Sequence, residues 1–187
     1  MKARSYSHVG LTVRDMKEFV SFYADIFGCR LIGVTPADPE RVRTFFGVDG
    51  EAPECDIGWL RTPGGGILEL FEFKPHQPAV EVPWNRIGLT HFGFDVVNTR
   101  KWHDYLVRKG VEIVSEPEGS PRGHTFFFAR DCDGNLIELM DLGYKYHLLK
   151  WLGGFAGWLF KRGMNKDYYE LPWRPRGGLP HGEDPRA

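Results

Sequence analysis

Two short stretches of this chain repeat one another, and the repeat limits what it can fold into. His8–Val13 reads HVGLTV and His91–Val96 reads HFGFDV, both of the form H-x-G-x-x-V with apolar residues at the second and fourth places. Each alternates like a half-buried strand, with the histidine and the glycine sharing the face opposite the apolar residues. A helical pattern follows each. In the first, Met16, Phe19, Val20, Tyr23 and Phe27 fall on one face, with Asp15 placed to cap the start. In the second, Trp102, Tyr105 and Leu106 do so, with Asn98 or Thr99 as the cap. Both patterns stop at a glycine, Gly28 and Gly110, where a left-handed residue closes a helix. Short strands are expected next, at Arg30–Val34 and Val111–Val114.

The halves also end alike. Ile67–Leu70 (ILEL) and Leu136–Leu139 (LIEL) each carry a glutamate between apolar residues, after the turns Pro63–Gly66 and Asp133–Asn135. Strands at Asp56–Arg61 and Thr125–Ala129 lead into those turns. Each half therefore reads strand, helix, strand, strand, strand. The first half adds a short helix within Pro39–Val48. The expected fold is α+β: two paired βαβββ modules forming a curved mixed sheet, plus a C-terminal helical tail. The expected boundaries are 1–73 for the first module, 74–88 for a linker, 89–142 for the second module and 143–187 for the tail.

The repeat puts His8 in register with His91, and Glu69 with Glu138. Two imidazoles and two carboxylates form a ligand set for one divalent ion, and nitrogen with hard oxygen suits Zn, Ni, Co, Mn or Fe(II). A carboxylate among apolar neighbours is costly without a partner, and a metal removes that cost. Taken singly, each glutamate also reads as a solvated side chain on a wet strand face. The matched quartet favours the metal.

Composition narrows the class. A net charge of −1 gives no electrostatic footprint for nucleic acid, and apolar residues at 42% supply a sizeable core. Cys29, Cys55 and Cys132 are odd in number and widely spaced, which fits a reducing cytoplasm rather than a disulfide framework. The stretch MKARSYSH lacks the apolar run of a signal peptide. No apolar run reaches the roughly 20 residues needed to span a bilayer, so no membrane-spanning segment is expected and a membrane ranks last among the expected partners.

The segments SHVGLTVRDMKEFVSFYADIFG, GGGILELFEF, THFGFDV and FARDCDGNLIELMD resemble the vicinal oxygen chelate superfamily, the glyoxalase, bleomycin-resistance and extradiol-dioxygenase group. The resemblance runs from about Ser5 to Leu142 and is strongest toward glyoxalase I-like and methylmalonyl-CoA epimerase-like members. It implies that His8, Glu69, His91 and Glu138 are the metal ligands of a lyase or isomerase acting on a small molecule. In such an enzyme a proton moves next to a metal-bound carbonyl through an enediolate. Glu138 is then the first choice as base and Glu69 the second. Arg14 falls near where the family often keeps a basic residue for its substrate, and His124 lies in a loop that borders the substrate in relatives. The resemblance also implies a site within one chain or across a homodimer. It admits an epimerase-like isomerase, an Fe(II) extradiol-type dioxygenase and a metal-free drug-binding resistance protein as other readings. The sequence departs from the family pattern at Cys132, where proline is usual, and at LFEF after Glu69, which lacks the asparagine-tryptophan of many bacterial forms.

Other residues read as bystanders. His103 is expected on the surface, and His76 and His181 in Pro/Gly-rich loops. Cys132 has only Arg130 nearby to activate it and is not expected to be a nucleophile. Tyr144–Gly163 reads as an aromatic helix with Leu148, Trp151, Leu152, Phe155, Trp158 and Leu159 in a stripe and lysines and an arginine beside it. Packing on a module or a second subunit, closing over the site, and lying on a membrane surface are its three expected uses, in that order. An extended arm is expected to follow it.

Overall fold

The structure, a computed structural model, describes residues 3–169. The expected extended arm and His181 lie outside the described residues. The chain divides into two compact units after Leu142. The first unit holds the repeat as two four-stranded sheets.

The first module contains β1 (His8–Thr12), α1 (Met16–Phe27), β2 (Arg30–Ala37), α2 (Pro39–Phe46), β3 (Glu54–Arg61) and β4 (Ile67–Lys74). The second contains β5 (Phe92–Asp95), α3 (Thr99–Arg108), β6 (Glu118–Gly119), β7 (Thr125–Arg130) and β8 (Leu136–Asp141). Strand order is β1-β4-β3-β2 in one sheet and β5-β8-β7-β6 in the other, so each module places its first strand beside its last. That pairing is parallel in both, and the remaining pairs are antiparallel. The curved mixed sheet expected of the paired modules is thus present as two sheets, one from each module.

Local chemistry sets the helix limits. The Asp15 carboxylate accepts from the Glu18 amide, and Gly28 closes α1 at φ +69°, where a side chain would be strained. Asn98 rather than Thr99 caps α3, through the Lys101 amide. Asp38 and Gly47 bound α2 in the same manner. Glu72, the second glutamate of β4, accepts from the Met16 amide 3.2 Å away and so helps to cap α1. Gly58 lets that corner close: a Cβ there would stand 2.7 Å from Met16 Sδ.

Both modules feed one hydrophobic core. Phe27 of α1 stacks on Phe94 of β5 at 4.4 Å and on Trp102 of α3 at 5.7 Å. Tyr23, fully buried, donates its hydroxyl to Asp131 Oδ2 at 2.8 Å. The Asp131 carboxylate also accepts from the Asp133 and Asn135 amides and from Asn135 Nδ2. Burial raises the pKa of Asp131 and pushes the Tyr23 phenol well above its ordinary range, and the neighbouring carboxylate adds to the second effect. The D-C-D-G-N turn is thus a structural joint between modules. Buried polar groups of this kind persist because each has a partner.

Three expectations need correction. Arg30–Val34 continues as a strand to Ala37, because β3 is long enough to pair with all of it. Val111–Val114 is not a regular strand. It touches β7 through one bridge, Ile113 to Ala129, and the Phe128 carbonyl accepts from both the Val114 and Ser115 amides, which breaks the ladder before Pro117. His103 is not a surface residue: its side chain is only 12% exposed, with its ring edge-on to Phe127 and its nitrogens toward Asp104 and Glu116.

Candidate metal centre

The register explains why each module brings a histidine to a glutamate. In the parallel pair β1/β4, Gly10 stands opposite Glu69 and His8 opposite Ile67. Residues two apart share a strand face, so His8 and Glu69 lie diagonally on the same face. His8 Nε2 is 3.0 Å from Glu69 Oε2. In β5/β8, Gly93 stands opposite Glu138, and His91 Nε2 is 3.3 Å from Glu138 Oε2. The glycines keep this face open. A Cβ on Gly93 would stand 3.7 Å from Glu138 Oε2, and one on Gly10 would press on the Phe71 ring at 3.3 Å.

Further matched contacts surround these pairs. Ser7 Oγ lies 3.0 Å from His8 Nδ1, and Thr90 Oγ1 lies 3.0 Å from His91 Nδ1. A hydroxyl can donate to Nδ1, with Nε2–H then donating to the carboxylate, or accept from Nδ1–H, which frees the Nε2 lone pair as a metal ligand requires. Directly across from Glu69 stands Trp59, and directly across from Glu138 stands Phe128. Both rings lie against the histidine of their module, at 5.8 Å and 5.3 Å. Trp84, from the connection between modules, adds a second ring beside His91 at 5.5 Å. In the first module the face continues through Phe71 and Phe73, which Phe46 of α2 meets edge-on. The result is two polar half-sites, each walled by aromatic rings.

Reading the sequence alone misses the hydroxyls and the two facing rings, although both have a sequence signal. A Ser or Thr precedes each histidine, and an aromatic residue stands ten positions before each glutamate.

The four proposed ligands fall into two pairs. Among the described residues, no three His, Cys, Asp or Glu side chains gather in a way that could hold a metal ion. Each half-site supplies two donors, whereas Zn(II) takes four ligands and other divalent ions up to six. The donor set itself fits such an ion: imidazole nitrogens held at Nδ1, carboxylate oxygens within reach, and no thiolate. Burial raises Cys29 and Cys55 to about 11 and Cys132 to about 12, so none is a ready thiolate.

The remaining candidates separate. His124 immediately precedes β7 and is in line with Phe126 and Phe128, its ring 6.0 Å from that of Phe126, so it stands on the same face as the second half-site. Arg14 lies beyond the far end of β1 from His8. Its amide donates to Asp133 Oδ2 at 3.1 Å and its guanidinium is 3.8 Å from the same carboxylate. The structure therefore engages Arg14 in the joint between modules.

The glyoxalase/bleomycin resistance protein/dioxygenase superfamily model matches residues 5–139. The chain belongs to that superfamily. A lactoylglutathione lyase of Schizosaccharomyces pombe is 28% identical over 148 residues, covering 75% of this chain and 48% of the relative. The chain thus spans about half the length of that curated relative. Among solved structures, a glyoxalase family protein from Bacillus cereus superposes with a TM-score of 0.65 at 23% identity, over 75% of this chain and 95% of the other. A fosfomycin resistance protein, FosX, from Listeria monocytogenes, complexed with Mn(II) and sulfate, gives 0.51 at 18% identity, over 79% and 99%. At these identities the superpositions establish the shared fold.

Proposed function

We propose that this superfamily member is a divalent-metal-dependent lyase or isomerase of the glyoxalase I type, acting on a small molecule as a homodimer. The observation that carries the reading is the pair of register-matched His–Glu contacts, each with a hydroxyl at the histidine Nδ1. His8, Glu69, His91 and Glu138 would hold the ion. When bound, it would supply Lewis acidity to two neighbouring oxygens of the substrate. The lactoylglutathione lyase relative and the Mn(II) complex of FosX support this class of chemistry.

The residues of the chain divide the remaining work. Glu138 takes the proton from the carbon next to the substrate carbonyl on its Oε2 and returns it to the neighbouring carbon. Glu69 holds the opposite side. Ser7 and Thr90 fix the histidine tautomers. Trp59 and Trp84, exposed in the single chain, would together with Phe128 exclude water once a second copy covers them, which strengthens every charge interaction within the site.

Each module offers half of the ligand set on the sheet face opposite its buried Leu68/Leu70 or Ile137/Leu139 side chains. The two half-sites of one chain therefore face away from the core that the modules share. A second copy completes each site, with His8 and Glu69 of one protomer meeting His91 and Glu138 of the other. This follows the rule that closed symmetric dimers use the same contacts twice.

The test is a substrate panel on protein loaded in turn with Ni, Zn, Co, Mn and Fe(II). The hemithioacetal of methylglyoxal and glutathione should be isomerised with at least one non-iron metal. Turnover of an acyl-CoA epimer pair instead would make the enzyme an epimerase. Oxygen uptake with a catechol under Fe(II) alone would overturn the lyase reading.

A further inference from the structure

The second unit carries a feature that the proposed reaction does not use. Helix α4 (Lys145–Arg162) forms as the sequence implies, despite Gly153, Gly154 and Gly157. None of its residues is buried, and among the described residues nothing in its own unit covers its large apolar side chains. At 100° per residue, Trp151, Leu152, Phe155, Trp158, Leu159 and Phe160 fall with Leu148 and Leu149 in an arc of somewhat more than half the circumference. The three glycines, Lys150 and Lys161 occupy the opposite side, where a missing side chain costs no apolar contact.

Charge decides which surface this arc suits. Lys145, Lys150, Lys161, Arg162 and Lys166 stand in a stretch, Gly143–Lys166, that contains no Asp or Glu. The whole chain has a net charge of −1, so five positive charges are concentrated here and the remainder carries a net −6. The cations are set beside the rings. The Arg162 guanidinium lies 3.8 Å over Trp158, Lys150 Nζ 5.3 Å over Tyr146, and Lys161 Nζ 4.7 Å over Tyr169. A second copy of this helix would meet its own four positive charges, Lys145, Lys150, Lys161 and Arg162. An anionic lipid surface would neutralise them while taking up the aromatic arc. No helix among the described residues is long and apolar enough to cross a membrane, which leaves α4 lying in the interface rather than spanning it.

We infer that α4 is an interfacial anchor that seats the protein on anionic lipid. Its apolar arc enters the boundary between headgroups and acyl chains, and Lys150 and Lys161 extend toward the phosphates. The apolar stripe taken alone ranks this use last, behind packing on protein. The concentration of cations without a single acid reverses that order.

The test uses the full chain, sedimented with vesicles of phosphatidylcholine alone or mixed with phosphatidylglycerol. Binding should require the anionic lipid and weaken at high salt. A juxtamembrane cation contributes about fivefold to partitioning, so Lys150→Glu or Lys161→Glu should each weaken it by about tenfold or more. Phe155→Glu should also release the protein, with its thermal melting and its metal content unchanged. Equal sedimentation with both lipids, or variants that bind like the wild type, would overturn the inference. So would a wild-type oligomer that dissociates in Phe155→Glu without any vesicle binding, since the occupant would then be a second copy. None of these readouts depends on the proposed reaction.

Discussion

Replacing Glu138 by glutamine is expected to lower turnover by about 10²-fold or more while metal content falls much less. Glutamine keeps the length of the side chain and one oxygen for the ion, but it cannot accept the substrate proton. The strand geometry isolates this effect. Glu138 lies between buried Ile137 and Leu139, so the backbone that carries it is fixed by the core and not by the carboxylate. Its KM should change little, because the lost interaction belongs to the transition state. The same change at Glu69 should cost less in turnover. Equal losses at both positions would mean that the carboxylates share the proton, and near-normal turnover of Glu138→Gln would move the role to Glu69 or to a bound water.

The second expectation concerns how sites are shared between copies. His8→Ala and His91→Ala should each be inactive alone, since every site would lack one imidazole. In a dimer with sites across the interface, a mixed dimer of the two variants gathers both defects in one site and leaves the other intact. Mixing equal amounts and allowing subunits to exchange should therefore restore about a quarter of wild-type activity, as random pairing makes half of the dimers mixed. A site formed within one chain would show no recovery at any ratio.

Much of this arrangement is legible in the amino-acid sequence. The repeated H-x-G-x-x-V and the two I/L-E-L strands mark the modules, because a carboxylate set between core residues at matching places in both halves points to a shared ligand role. Asp15, Gly28 and Asn98 announce the helix limits through backbone hydrogen-bonding rules that act locally. What stays hidden depends on pairing between distant strands. Nothing in Val111–Val114 reveals that Phe128 accepts from two consecutive amides and so breaks the ladder there. The positions of Trp59 and Phe128 opposite the glutamates follow only once β3 and β7 are set in register. Position along the chain likewise gives no sign that Asp133, more than a hundred residues away, stands 3.8 Å from the Arg14 guanidinium. His103 misleads for the same reason: its helix face looks polar, yet α3 turns it onto Phe127.

The proposed chemistry stands or falls on whether these four side chains hold an ion. The direct measurement is elemental analysis of the full chain purified without chelator, beside His91→Ala prepared identically. The expected result is close to one divalent ion per chain in the wild type, a sharp fall in His91→Ala, and return of activity when metal is added back to stripped wild-type protein. Wild-type protein that is active without any bound divalent ion, or His91→Ala that keeps its full complement, would contradict the assignment.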